Sequence, residues 1–116
     1  EASDQQVIVL KEKAGSRTLP IVIGIVEIMA IDRRLKGKMP LRPLTHDLLG
    51  NIIGLLGAKI EKVVISDMKN HTYYATIHIS INDKKITVDA RPSDAIAVGI
   101  ATNVQMFVAE HVFEKL

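Results

Sequence analysis

The chain has 116 residues, a net charge of +2 and no cysteine. Disulfides and cysteine-ligated zinc are excluded, and so small a charge does not by itself imply nucleic-acid binding. Hydrophobic residues make up 47% and aromatics 3%, so the core must be built from Ile, Val, Leu and Ala.

This length fits one domain, taken as residues 1–116. The opening "EASDQQVIVL" lacks the basic and apolar regions of a signal peptide. The longest apolar stretch, "LPIVIGIVEIMAI", is too short for a membrane span and contains Glu27. A cytoplasmic chain without a membrane segment is therefore expected.

"QQVIVLKE" alternates and predicts a strand over 5–12. "KAGSR" is a turn centred on Gly15. "TLPIVI" is a second strand, in which Pro20 is allowed at an edge or a bulge. "GIVEIMAIDRRLKG" has strand-like β-branched residues, yet Ile25, Ile28, Met29, Ile31 and Leu35 lie on a helical stripe. Basic residues followed by Gly37 close it as helices close, so a helix is expected over 25–36.

"THDLLGNIIGLLGAK" predicts a helix capped by Thr45, with Asp47 in its first turn and Gly57 at its end. Leu48, Leu49, Ile52, Ile53, Leu55 and Leu56 form a wide apolar face. Gly50 and Gly54 suit a close approach by another backbone. Strong alternation then predicts an antiparallel meander near 59–67, 72–81 and 84–89. Ser93 is expected to cap the helix "DAIAVGIAT", with Asp94 in its first turn. "VQMFVA" predicts a short strand and "EHVFEKL" a helical turn. The fold class is α+β: a single compact domain, mainly antiparallel sheet packed with about three helices.

"LPIVIG", Glu27, "RPLTHDLL", "TYYATIHI" and "DARPSDAIAVGIA" occur in that order. Together they resemble the bifunctional nuclease domain family, a bacterial domain with plant nuclease members, over about residues 17–113. The resemblance implies a compact α+β domain with nuclease activity on RNA and DNA. The matching polar positions include Glu27, Arg42, Thr45, His46, Asp47, Asp89, Arg91, Ser93 and Asp94. It carries no catalytic assignment with it, and the chain lacks the aromatic that the family commonly has within "PIVIG".

Phosphodiester hydrolysis needs an in-line nucleophile and stabilisation of phosphate charge. Carboxylates holding Mg²⁺ or Mn²⁺ can supply both. So can acid–base groups with Arg or Lys on the phosphoryl oxygens. The catalytic candidates are Glu27, His46, Asp47, Asp89, Arg91 and Asp94. Asp89 ends a strand and Asp94 opens a helix, so with Arg91 they could form a carboxylate pair and a phosphate site. They could equally be a salt bridge and a helix start. His46 and Asp47 could be base and ligand, or solvated first-turn residues. Glu27 interrupts an apolar run, so its carboxylate must be paired, protonated or facing a pocket.

Arg33, Arg34, Lys36, Lys38 and Arg42 are the phosphate-binding candidates, with a helix end plus a solvated loop as the alternative. His71 and His78 read as surface residues, and Tyr73, Tyr74, Phe107 and Phe113 as too scattered for base stacking. The expected function is a non-specific nuclease. The alternative is a non-catalytic ligand- or partner-binding module. Apolar surface on helix 25–36 and open strand edges point to a homo-oligomer.

Overall fold

In the strands that supply the core, alternate residues face inward, and this alternation sets the layers. The structure, a computed structural model, describes residues 5–38 and 41–116. Met39 and Pro40 of the basic stretch lie outside the described residues.

Strands β1 (Gln5–Lys11) and β2 (Thr18–Gly24) form an antiparallel two-stranded ribbon. Leu19, Ile21 and Ile23 of β2 point into the core, and Pro20 and Val22 point out. Pro20 is tolerated because neither ribbon strand has a second strand neighbour. Helix α1 (Ile25–Leu35) follows directly, and then α2 (Thr45–Leu55).

Strands β3 (Lys59–Lys69), β4 (Thr72–Ile81) and β5 (Lys84–Ala90) make the expected antiparallel meander. Both hairpin turns are two residues long, and both residues of each have positive φ: Asn70 51° and His71 64°, then Asn82 49° and Asp83 65°. That conformation matches the right-handed strand twist, and Asn and Asp tolerate it best after Gly. Helix α3 (Pro92–Thr102) then crosses back, so β6 (Gln105–Val108) runs parallel to β3 and the sheet order is β5-β4-β3-β6. A short helix, α4 (Glu110–Glu114), follows.

Helix α3 is the centre of the core. Its Ala95, Ile96, Val98 and Gly99 are buried with Val63, Ile65, Ala75 and Ile77 of the sheet. A Cβ on Gly99 would lie 3.1 Å from Val63 Cγ2, so glycine sets how closely helix and sheet approach.

Helix α2 departs from expectation. Its apolar face lies largely in solvent: no α2 residue is buried, and Leu55 is 87% exposed. Ile53 packs partly against the core, and Gly50 meets Thr102 Cγ2, 3.1 Å from an added Cβ. Gly54 has no neighbour within 4 Å, so the expected close approach holds at Gly50 alone. The helix starts one residue earlier than expected. Leu44 is the N-cap, and Thr45 is the first helical residue. Asp47 explains the shift, because its Oδ2 accepts the Leu44 N–H at 2.9 Å and anchors the turn from inside. At the other end Gly57 has φ 84°, donating to Gly54 O while Ala58 donates to Ile53 O, each at 3.0 Å.

The sheet face opposite α3 is open. Register places Phe107, Val64, Thr76 and Asp89 in one row across it, and Gln105, Lys62, His78 and Thr87 in the next. Every residue in these rows is exposed or half-buried. Among the described residues, no helix is long and apolar enough to cross a membrane.

Helix α4 is tied to β3 by charge. Asp67 Oδ1 accepts from Lys115 Nζ and from its neighbour's Met68 N–H, both at 2.8 Å. The Lys115 bond, then the Met68 bond, hold the Asp67 carboxyl down at about 2. A carboxyl depressed below its unfolded value of about 3.9 stabilises the fold above that value. The contribution is lost as pH falls toward about 2. Urea midpoints should therefore fall for the wild type between about pH 4 and 2, and the fall should be shallower in Asp67→Asn. An identical pH slope in both proteins would remove Asp67 as its source.

Candidate functional site

The start of α3 is set by proline. Pro92 is the first helical residue, its φ is suited to a helix, and it has no N–H to satisfy. Arg91 is thus the N-cap residue, and Ser93 moves inside the first turn. The expected Ser93 cap is not formed; no side chain caps this helix. Ser93 is instead a buried polar residue, 7% exposed, beside a depression.

Asp94 stands at the third helical position and takes the Arg91 guanidinium. Nε donates to Oδ2 at 2.8 Å, and Nη2 to Oδ1 at 3.2 Å. The side chains are 69% and 46% exposed, so the pair adds little stability. It does fix the fork of Arg91. The bond to Asp94 raises the Arg91 pKa above its usual value, with a smaller contribution from the charge of Glu27.

Glu27 reaches this neighbourhood from α1. It lies in that helix's first turn, where a carboxylate suits the helix dipole. Gly24, the N-cap, leaves room for it: an added Cβ would lie 3.1 Å from both Glu27 carboxylate oxygens. Glu27, Arg91 and Ser93 line one depression of about 440 Å³ with His71 and Tyr73, walled by β2 from Pro20 to Gly24. The carboxylate that interrupts the apolar run therefore faces a pocket.

The other candidates lie elsewhere. Asp47 Oδ1 accepts from Arg34 Nη2 at 2.9 Å, and His46 Nε2 is 3.9 Å from the same oxygen. These side chains, with Arg33 and Lys38, surround a crevice of about 10 Å³, room for about one water. Lys36 pairs with Asp32 one helical turn back at 2.9 Å. Arg42 is exposed on the loop before α2. Asp89 faces the open side of the sheet, opposite Thr76. The two Arg-Pro segments thus serve two different depressions.

Among the described residues, no three His, Cys, Asp or Glu side chains gather closely enough to hold a metal ion. The pocket offers one carboxylate, Glu27, because Asp94 is engaged by Arg91 and Asp89 faces another way. This donor set does not fit a dedicated Mg²⁺ or Mn²⁺ site.

The family model for the bifunctional nuclease domain matches residues 8–116. The chain belongs to this family. An uncharacterised protein of Mycobacterium tuberculosis, found in two strains, is 41% identical over 115 residues, covering 99% of this chain and 68% of the relative. Bifunctional nuclease 2 of Oryza sativa subsp. japonica is 28% identical over 112 residues, covering 93% of this chain and 34% of the relative.

In this bifunctional nuclease domain, three pocket residues escaped the site reading of the sequence. His71 read as a surface turn residue, Tyr73 as one of four scattered aromatics, and Ser93 as a cap. One signal was available for His71. It occupies a two-residue turn where Gly is the common choice, and a bulky side chain there invites a second explanation.

The two clusters should separate on mutation. Asp47→Ala removes the acceptor of the Leu44 N–H and a partner of Arg34, whose side chains are 19% and 11% exposed for Arg34 and Asp47. It should cost about 1–3 kcal/mol in urea unfolding. Arg91→Ala breaks an exposed pair and should cost no more than about 1 kcal/mol. Equal losses would contradict this division.

Proposed function

We propose that the chain hydrolyses phosphodiester bonds in both RNA and DNA, without base specificity, at the pocket holding Glu27, His71 and Arg91. The observation that carries this reading is their convergence: three chemically apt groups from three chain segments line one depression in a bifunctional nuclease domain. The name of the rice relative points the same way.

DNA has no 2′-hydroxyl, so one route for both polymers cannot use that group, and water is the nucleophile in this reading. Arg91 has five N–H donors, and Asp94 engages those of Nε and Nη2. Donors left over hold the phosphoryl oxygens as charge builds on them. The Glu27 carboxylate takes a proton from water as the new P–O bond forms. His71 gives a proton to the leaving oxygen as the old P–O bond breaks. The products are a phosphate monoester and a free hydroxyl. Asp94 positions Arg91, and Ser93 and Tyr73 line the wall. His46, Asp47 and Asp89 take no part in this scheme.

Glu27→Gln, His71→Ala and Arg91→Ala should each slow cleavage of labelled single-stranded RNA and DNA by roughly 10²–10⁴-fold, with folding intact by circular dichroism. Asp94→Asn, which loosens Arg91 without removing it, should cost less. Wild-type rates in folded Glu27→Gln and Arg91→Ala would move the site elsewhere. Oligonucleotide binding without turnover in repeatedly purified wild type would favour the non-catalytic module.

The chain also works as a homodimer in this reading, with α2 rather than α1 as the main contact. Leu55 is 87% and Leu56 71% exposed, and no charged residue occurs from Leu48 to Ala58. A face without charge is complementary to its own copy about a two-fold axis. Leu55→Glu should convert a dimer mass in light scattering to a monomer mass. A wild-type monomer at all micromolar concentrations would end the proposal.

A further inference from the structure

The open face of the four-stranded sheet has no role in the pocket chemistry, yet its composition is unusual for a solvated face. Phe107 and Tyr74 are exposed on it by 46% and 38%. Phe107 stands opposite Val64, Val64 opposite Thr76, and Tyr74 two residues before Thr76, so both rings share this side. By strand spacing and rise the two positions are about 12 Å apart. Each ring has an ammonium near it: Lys62 Nζ lies 5.6 Å from the Phe107 centroid, and Lys69 Nζ 5.6 Å from that of Tyr74. The sequence reading treated the aromatics as scattered; the fold brings these two to one surface.

The polar groups between the rings suit a nucleic acid. Thr76 and His78 offer donors and acceptors in the central strand, with the Thr76 hydroxyl 3.4 Å from His78 Nε2. The acids on this face are largely engaged. Asp67 is held by Lys115 at 2.8 Å, and Glu61 accepts the Ser80 hydroxyl at 2.6 Å beside the charges of Lys85 and Lys59. Apart from Asp89 at the pocket end, what remains is cationic and aromatic, the combination that holds single strands by stacking and phosphate neutralisation.

The face also leads to the pocket. Neighbouring strand residues point to opposite sides, so Tyr74 lies on the open face while Tyr73 lines the pocket. Asp89 on the face lies two residues before Arg91 at the pocket rim. A strand lying across the sheet reaches the pocket over this end, where β4 begins and β5 ends.

We propose that the open sheet face is the binding platform for single-stranded RNA or DNA, with bases stacked on Phe107 and Tyr74 and phosphates on Lys62 and Lys69. The proposal rests on the nuclease reading for its purpose, but its test does not require turnover.

Binding of labelled oligo-U and oligo-dT is read by fluorescence anisotropy, and cleavage is read separately on gels. Phe107→Ala and Tyr74→Ala should each weaken binding roughly tenfold. Lys62→Ala should flatten the slope of log affinity against log salt by about 0.7. The chain has no Trp, so Phe107→Trp places a single indole on the face, and oligonucleotide should quench it. Unchanged affinities with an unquenched indole overturn the proposal. So does a change in solution mass in these variants without a change in affinity, which would make the face a protein contact. Weaker binding by Phe107→Ala in a protein that never cleaves supports the platform and overturns the nuclease reading. Cleavage by a protein whose affinity ignores both rings does the reverse.

Discussion

The seat of α3 on the sheet is the contact on which the other elements depend. Ile96 and Val98 are almost wholly buried, and Gly99 lets the helix approach Val63 of the central strand closely. Both ends of α3 then do separate work. At its C-terminus Asn103, with φ 57°, reverses the chain into β6, which pairs parallel with β3. At its N-terminus Pro92 fixes where the helix begins, and so where Arg91 stands on the pocket rim. A shift in this seat would move the new strand and the guanidinium together.

The core strands were legible because each has one face buried: Leu19, Ile21 and Ile23, or Val63 and Ile65, leave a period of two that no other element imitates. The helices were legible in type and extent, and α1 and α4 in their first residues too, but α2 and α3 start one residue or more earlier than expected. At α3 the hydroxyl of Ser93 competed with Pro92, and the ring won because it fixes φ and needs no hydrogen-bond partner. At α2 the carboxylate of Asp47 outcompeted the hydroxyl of Thr45. Burial on α2 was not legible either. An apolar stripe shows that a helix can be covered, not that its own chain covers it. The parallel seating of β6 depends on a crossover, which a four-residue strand does not encode locally.

The candidate site was partly legible for a related reason. Of the residues singled out, Asp47 carries a structural load: it anchors a helix start and pairs with Arg34. Glu27 and Arg91 carry less: both line an open depression, and the Arg91–Asp94 pair is exposed. His71 joins them only through a tight turn between β3 and β4, a contact across the fold that linear spacing cannot express.

Helix α2 supplies no buried residue and meets the rest of the chain through Gly50, Ile53 and the Asp47–Arg34 pair near its start. In the language of local unfolding, it belongs to the shallow end of the stability range, where backbone amides exchange without opening the core. Whatever covers its leucines also deepens that well. Gly50 rests on Thr102, the last residue of the helix whose opposite end holds Arg91, so α2 and the pocket rim share α3 as their support.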